Sequence, residues 1–420
     1  MGMTITQKIL AMHSDQKVVK PGDILSVKID LILGNDASAP LAIKKLEEIG
    51  MPKIGAADRT ALFPDHFTPP TDETTAESIK ILRDFSLKAD IKHYFEVGEV
   101  GIEHAVLPEI GLIKPGDLII GADSHTCTYG AIGAFSTGVG STDFAAAMVT
   151  GETWFKVPPT LKIEYIGKPE KWISGKDLIL YTIGKIGTDG GLGKTLEFCG
   201  EVIGNLEIED RLTMANMAVE AGAVNGIMKP DTLLRKWLNQ RTDDLGHFFE
   251  SDINASYEEE VQIDVSSVTP QVAMPFNPGN VAPVQEVSGI KLDQVFIGSC
   301  TNGHLSDLRT AASILKGNKA APHVRLLISP ATRAIYKQAL EEGLIEIFHD
   351  ANAVLLPSSC GVCFGHIGRL AKGERCLSTS NRNFKGRMGD PESEVFLASP
   401  AVAAASAIRG EITHPFMVTR

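Results

Sequence analysis

The chain has 420 residues, of which 43% are hydrophobic, 22% charged and 6% aromatic, which fits a globular protein and excludes a disordered one. That length exceeds what one hydrophobic core supports, so two to three domains are expected. A net charge of -12, from 40 basic and 52 acidic side chains, argues against nucleic acid or anionic membranes as partners. An anionic small substrate stays compatible, because a few local arginines reverse the field inside a cleft.

The first fourteen residues carry Lys8 in their midst and no long apolar core, so they predict neither a signal peptide nor a membrane span. Met1-Gly2-Met3-Thr4-Ile5-Thr6 fits the short myristoylation pattern, but the start of an amphipathic helix accounts for the same residues. No other window supplies about 18 uninterrupted apolar residues. The cysteines, at Cys127, Cys199, Cys300, Cys360, Cys363 and Cys376, are too sparse for a disulfide scaffold, and a reducing cytoplasm is the expected setting.

Residues 1–157 alternate helical and strand patterns, as in Leu118-Ile119-Ile120 running into Gly121-Ala122-Asp123, and predict an α/β domain. A second domain is expected over 158–284, with a strand at Thr160 to Ile166, a helix at Gly175 to Ile186 and another at Asp210 to Ala223. From Ser267 to Ser288 the chain carries Pro270, Pro275, Pro278 and Pro283 with few charges, which predicts an extended connector. The third domain, 285–420, alternates strands at Gln294 to Ile297, Val324 to Ile328 and Ala353 to Leu356 with helices at Leu305 to Leu315 and Thr332 to Glu342. That alternation predicts a parallel sheet with crossover helices. The sequence shows no internal repeat or low-complexity tract.

In parallel α/β sheets the loops after the carboxyl ends of strands build the site. Asp123 and His125 follow Leu118 to Ile120, Cys300 follows Phe296-Ile297, Cys360 and Cys363 follow Val354 to Leu356, and Arg382 follows Cys376-Leu377. A Cys-x-x-Cys pair with one distant cysteine gives three thiolates for one soft metal centre. Three protein ligands on a four-iron cubane leave one iron open as a Lewis acid. Taken alone, Cys360-Gly361-Val362-Cys363 also fits a redox dithiol or half a zinc site, with His366 able to complete the latter. For Cys127, Cys199 and Cys376 the reading is small buried hydrophobes.

Two motifs are rejected. Gly187-Thr188-Asp189-Gly190-Gly191-Leu192-Gly193-Lys194-Thr195 is one residue too long for a phosphate loop and follows a predicted helix instead of a strand. Gly138-Val139-Gly140 lacks the third glycine of a dinucleotide fingerprint, which would fall at Asp143. What remains is a set of acids and imidazoles: Asp65-His66, His104, Asp123-Ser124-His125 and Glu197. A carboxylate beside an imidazole fixes its tautomer and raises its basicity, which suits proton transfer near pH 7.

Gly298-Ser299-Cys300-Thr301-Asn302, Cys360-Gly361-Val362-Cys363 and Ser380-Asn381-Arg382-Asn383-Phe384-Lys385-Gly386-Arg387 resemble, in this order and spacing, the cluster-binding region of the aconitase family. Gly121-Ala122-Asp123-Ser124-His125-Thr126 is similar to that family's Asp-Ser-His motif, and Pro64-Asp65-His66 to its Asp-His pair. The resemblance spans nearly the whole chain and implies an aconitase-like three-domain α/β core around a [4Fe-4S] cluster. It implies that Cys300, Cys360 and Cys363 bind the cluster, that Arg382 and Arg387 hold substrate carboxylates, and that Asn381 hydrogen-bonds nearby. Ser124 and, through a Gly34-Asn35-Asp36-Ala37 turn that also reads as a polar loop, Asn35 join the substrate side. Asp65 with His66 would protonate the leaving hydroxyl, with Asp123–His104 and His125–Glu197 as the other acid-imidazole pairs.

The length and the opening Met1-Gly2-Met3-Thr4 resemble the family's dehydratases of substituted malates, which implies interconversion of 2-isopropylmalate and 3-isopropylmalate by loss and re-addition of water in leucine biosynthesis. Homocitrate or 2,3-dimethylmalate chemistry is the alternative, and a cluster-sensing RNA-binding regulator is disfavoured by the charge. Full-length members continue into a swivelling domain that brings a serine base and further arginines; here a separate small subunit is expected to supply them.

Overall fold

In the computed structural model the described residues are 2–419, so Met1 and Arg420 lie outside them, and with Met1 the first residue of the myristoylation pattern. The chain divides into two compact units. One comprises the residues up to Val97, Leu107–Gly167 and Asp189–Ile263; the other comprises Gly98–Val106, Lys168–Thr188 and the residues from Asp264 onward.

The first unit contains a five-stranded parallel sheet in the order His93–Tyr94, Thr60–Phe63, Leu31–Asn35, Leu118–Gly121, Phe135–Gly138. Its central strands are buried at every position and mostly apolar because both faces are covered, as a parallel sheet requires. Helices Ala39–Glu48, Glu73–Lys88 and Ser141–Thr150 supply Ile43, Leu82, Phe85 and Phe144, which pack with Ile32, Leu62 and Phe135. At the N-terminus the helix reading holds: Thr4 caps Ile5–Met12 in a capping box with Gln7.

A four-stranded sheet in the same unit runs Asn225–Met228, Thr195–Cys199, Thr160–Ile166, Glu259–Asp264. The strand expected at Thr160 to Ile166 is present with those bounds. The helix expected over Asp210 to Ala223 forms as an α-helix, Ile208–Asn216, that tightens into a 3-10 turn, Met217–Ala221, and stops at Gly222 in the left-handed conformation.

The second unit is built on a seven-stranded sheet in the order Val281–Pro283, Gln271–Ala273, Glu394–Ala398, Arg375–Ser378, Gln294–Ile297, Arg325–Ile328, Val354–Leu355. The last five strands of that order are mutually parallel. The first two are antiparallel additions, which corrects the expectation of an extended connector between Ser267 and Ser288. Proline ends the edge strand, where its missing N–H costs no interior ladder bond, so Pro283 is compatible with pairing. Helices Leu305–Leu315 and Pro400–Arg409 bury Leu308, Ala311, Val402 and Ala405 against Val295, Ile297 and Phe396. Helix Gly175–Ile186 also belongs here and ends at Gly187, so the phosphate-loop-like string does follow a helix.

Candidate functional site

Cys300 sits in a short helix, Ser299–Asn302, directly after the strand Gln294–Ile297. Gly298 makes the corner: a Cβ there would lie 2.6 Å from the Ser329 carbonyl oxygen, so only glycine lets the chain turn so close to the next strand. Ser299 follows at φ +78°, a conformation rarely adopted by a side-chain-bearing residue, and directs the next residue, Cys300, off the strand axis. Cys360 and Cys363 lie in the turn after Val354–Leu355, with the Cys363 N–H donating to the Cys360 carbonyl at 3.0 Å.

The three cysteines converge. Cys300 and Cys360 share a small buried apolar cluster with Ile102, Ala105 and Ala331. The Asn381 carboxamide joins Cys300 to Cys363: its Nδ2 donates to the Cys300 Sγ at 3.5 Å, and its Oδ1 accepts from the Cys363 Sγ at 3.4 Å. Arg387 donates from Nε to the Cys363 carbonyl at 3.0 Å and from a terminal nitrogen to the Cys363 Sγ at 3.7 Å. Three buried sulfurs against an apolar wall, with an amide donor on Cys300 and a guanidinium donor on Cys363, suit thiolate ligands of an iron-sulfur centre, because N–H···S bonds disperse thiolate charge and hold the ligands in place.

Of the other candidates in this unit, His104 lies in the segment 98–106 that pairs with residues 331–333, the Ile102 N–H donating to the Ala331 carbonyl at 2.9 Å. Its Nε2 is 3.5 Å from a Glu103 carboxylate oxygen. Arg382 is half-buried beside Asn381 in the loop after Arg375–Ser378. His366, the residue a zinc site would recruit, stacks on Phe364 with the ring planes 6° apart.

The first unit carries the remaining acids and imidazoles. The Asp65 Oδ1 lies 2.7 Å from the His66 Nδ1, and the His66 Nε2 lies 3.7 Å from the Asp123 Oδ2. Burial alone would lower the His66 pKa, but the charges of Asp65, Asp123 and Asp36 outweigh it and push the imidazole up to about 10. It is therefore an imidazolium at neutral pH, with Nδ1–H donating to Asp65. Asp36, which the sequence reading left out of the site, accepts from the His66 and Phe67 N–H groups at 2.9 Å each. Burial pushes its carboxyl up to about 6. The clue was available, since Asp36 adjoins Asn35 in the turn already singled out.

Asn35 is fully buried, and its Oδ1 accepts from Ala37 N, Ser38 N and Ser38 Oγ while its Nδ2 donates to the Asp123 Oδ2 at 3.5 Å. That satisfies the polar-turn reading and also ties Asn35 to an acid of the candidate set. Asp123 caps the 3-10 turn Ser124–Ile132, accepting from the His125 N–H at 2.7 Å, and Ser124 opens that turn half-buried.

The His125–Glu197 pairing is corrected. The His125 Nε2 lies 3.1 Å from an oxygen of Glu220, buried on the 3-10 turn Met217–Ala221, whereas the Glu197 carboxylate accepts from Ser251 at 2.8 Å and Tyr257 at 3.0 Å. Burial raises the Glu197 pKa and those two hydrogen bonds oppose the rise. No local pattern could have selected Glu220, because its partner is ninety-five residues away in the chain. Cys127 and Cys376 are buried and Cys199 partly so; burial pushes the Cys199 and Cys376 thiols up to about 11 and about 12, as expected of inert core thiols. Among the described residues no helix is long and apolar enough to cross a membrane.

The sequence profile described as Aconitase family (aconitate hydratase) matches residues 7–289 and 283–410. The chain is 58% identical over 416 residues to the 3-isopropylmalate dehydratase large subunit of Thermodesulfovibrio yellowstonii, covering 99% of each chain. It is 56% identical over 421 residues to the protein of the same name from Moorella thermoacetica, covering 100% of each. Among solved structures it resembles Thermococcus kodakaraensis aconitase X in its holo-form, with a TM-score of 0.52 and 16% identity over 92% of this chain and 94% of that one, a likeness of fold. With the profile matched over nearly its whole length, the chain belongs to the aconitase family.

Proposed function

We propose that this chain is the large subunit of a 3-isopropylmalate dehydratase, a hydro-lyase of leucine biosynthesis that interconverts 2-isopropylmalate and 3-isopropylmalate by removing and re-adding water. The observation that carries the reading is the joining of Cys300 and Cys363 through Asn381, with Cys360 in the same buried cluster, in a chain similar over its full length to proteins of that name. A [4Fe-4S] cluster held by these three cysteines would supply Lewis-acid polarisation of the departing hydroxyl.

The chain's own residues supply the acid side of the chemistry. His66, kept charged by Asp65, Asp36 and Asp123, holds a proton for the leaving hydroxyl, which is a poor leaving group as hydroxide. Asp65 fixes which ring nitrogen faces it, so the proton is offered from Nε2. Arg382 binds a substrate carboxylate, and Arg387 combines that role with holding Cys363. His125 with Glu220 is a further acid-imidazole pair, His104 is a further imidazole of the set, and Ser124 and Asn35 shape the substrate side.

A separate small subunit supplies the serine base and the remaining arginines, in a reducing cytoplasmic setting. The test is anaerobic reconstitution of the chain with and without that subunit, followed by assay on a panel of malate derivatives. The expected result is a brown, oxygen-labile chain with iron and acid-labile sulfide that turns over 3-isopropylmalate only with its partner. Zinc in a colourless protein, robust turnover by the chain alone, or preference for homocitrate or 2,3-dimethylmalate would overturn the reading.

A further inference from the structure

Lys176, in helix Gly175–Ile186, is fully buried. Its Nζ donates to the Ser380 carbonyl at 2.6 Å, the Thr379 carbonyl at 2.7 Å and the Asn302 Oδ1 at 3.2 Å, so each ammonium proton has its own acceptor. A buried cation persists only where its protons are satisfied and negative charge lies close. Burial pushes its pKa down to about 7, while Asp307, Cys363, Cys300 and Asp177 favour the charged form.

The acceptors are not arbitrary pieces of core. Asn302 closes the short helix that bears Cys300, and Thr379-Ser380 lead directly into Asn381, whose amide bridges Cys300 and Cys363. The two loops already meet, with Thr301 Oγ1 donating to the Thr379 carbonyl at 2.8 Å and Gly298 N donating to Thr379 Oγ1 at 2.9 Å. Asn302 is itself held by Asp307, to whose Oδ1 its Nδ2 donates at 3.0 Å. The reaction proposed above makes no use of Lys176, yet a buried amine with three acceptors ties the two loops together.

We propose that Lys176 is a positioning residue for the cysteine site, its ammonium locking the Cys300 loop to the Asn381 loop and offsetting the negative charge of the Cys300 and Cys363 thiolates. The inference rests on the reading of Cys300, Cys360 and Cys363 as cluster ligands. An aliphatic side chain at 176 leaves two backbone carbonyls and the Asn302 Oδ1 without that donor and removes a positive charge behind the sulfurs.

The experiment compares the full chain with its K176M and K176Q variants. Thermal unfolding of the apo-chains reports folding. Titration with Co2+, read by thiolate-to-cobalt charge-transfer absorbance, reports assembly of the three sulfurs. Iron content and the reduction midpoint potential after anaerobic reconstitution report on the cluster itself. K176M is expected to unfold cooperatively but to bind Co2+ about 10–100-fold more weakly, the usual effect of losing an outer-shell partner, and to shift the midpoint to a more negative value. K176Q, which keeps an N–H donor without the charge, is expected to recover part of the Co2+ affinity and none of the midpoint. Wild-type Co2+ affinity and midpoint in folded variants would overturn the inference, and so would failure of both variants to fold, which would make Lys176 a residue of the core. If the wild-type chain took up neither metal, the cluster reading itself would fall, an outcome distinct from either.

Discussion

His125 meets Glu220, with Nε2 3.1 Å from Oε1 and both side chains buried. The contact makes Glu220 the carboxylate that orients this imidazole, and it releases Glu197 to a different role beside Ser251 and Tyr257. E220Q in the two-subunit enzyme should lower kcat/KM by about 100-fold or more, the range of acid-base assistance, while E197Q lowers it less than about tenfold. Steady-state kinetics on 3-isopropylmalate decide between them, and equal losses would leave Glu197 a part in the site.

Asn381 touches two of the three cysteine sulfurs, so its amide orients the site as well as decorating it. In N381A the Cys300 and Cys363 sulfurs lose their common partner. Iron should then leave the reconstituted chain about 10–100-fold faster under a chelator than from wild type, followed by the bleaching of visible absorbance.

Asp117 gives a pH-dependent stability. Burial, followed by the charge of Asp30, pushes its carboxyl from 3.8 up to about 7. A folded-state pKa above the unfolded one means the folded chain holds this proton more tightly, so stability falls as pH rises from about 4 to 7. D117N removes that titration, and relative to wild type it should gain about 4 kcal/mol between pH 4 and pH 8. Urea unfolding of both proteins across that range checks the sign: a difference independent of pH would refute it.

Cys199 and Cys376 should resist alkylation, because burial holds both thiols far above the usual range. With iodoacetamide at pH 7.5 the native chain should modify Cys199 about 100-fold more slowly than an unfolded thiol, and Cys376 more slowly still. Peptide mapping by mass spectrometry before and after guanidinium unfolding gives the measurement.

Much of the architecture was legible because local rules and tertiary structure agree. Gly175–Ile186 and Leu305–Leu315 carry clear helical periodicity and start at side-chain caps, and both form with the expected bounds. The segment Ser267 to Ser288 was misread because prolines and sparse charges describe an edge strand as well as a linker. Only pairing with Glu394–Ala398, more than a hundred residues later, tells the two apart.

The division at the site follows the same line. Sequence by itself determined the motifs that are contiguous or fall at strand ends: Cys300, the Cys360–Cys363 pair, Asp65 beside His66, and Asn381 next to Arg382. Adjacency in the chain or a strand's end already fixes where such residues sit. Tertiary structure decided the partners that come from distant segments: Glu220 for His125, Asp36 for the His66 backbone, and Lys176 for the loops of Cys300 and Asn381. Each of these is a buried ionisable side chain, and what such a group pairs with is set by which chain segments the sheets bring within hydrogen-bond reach, a distance that no spacing along the sequence encodes.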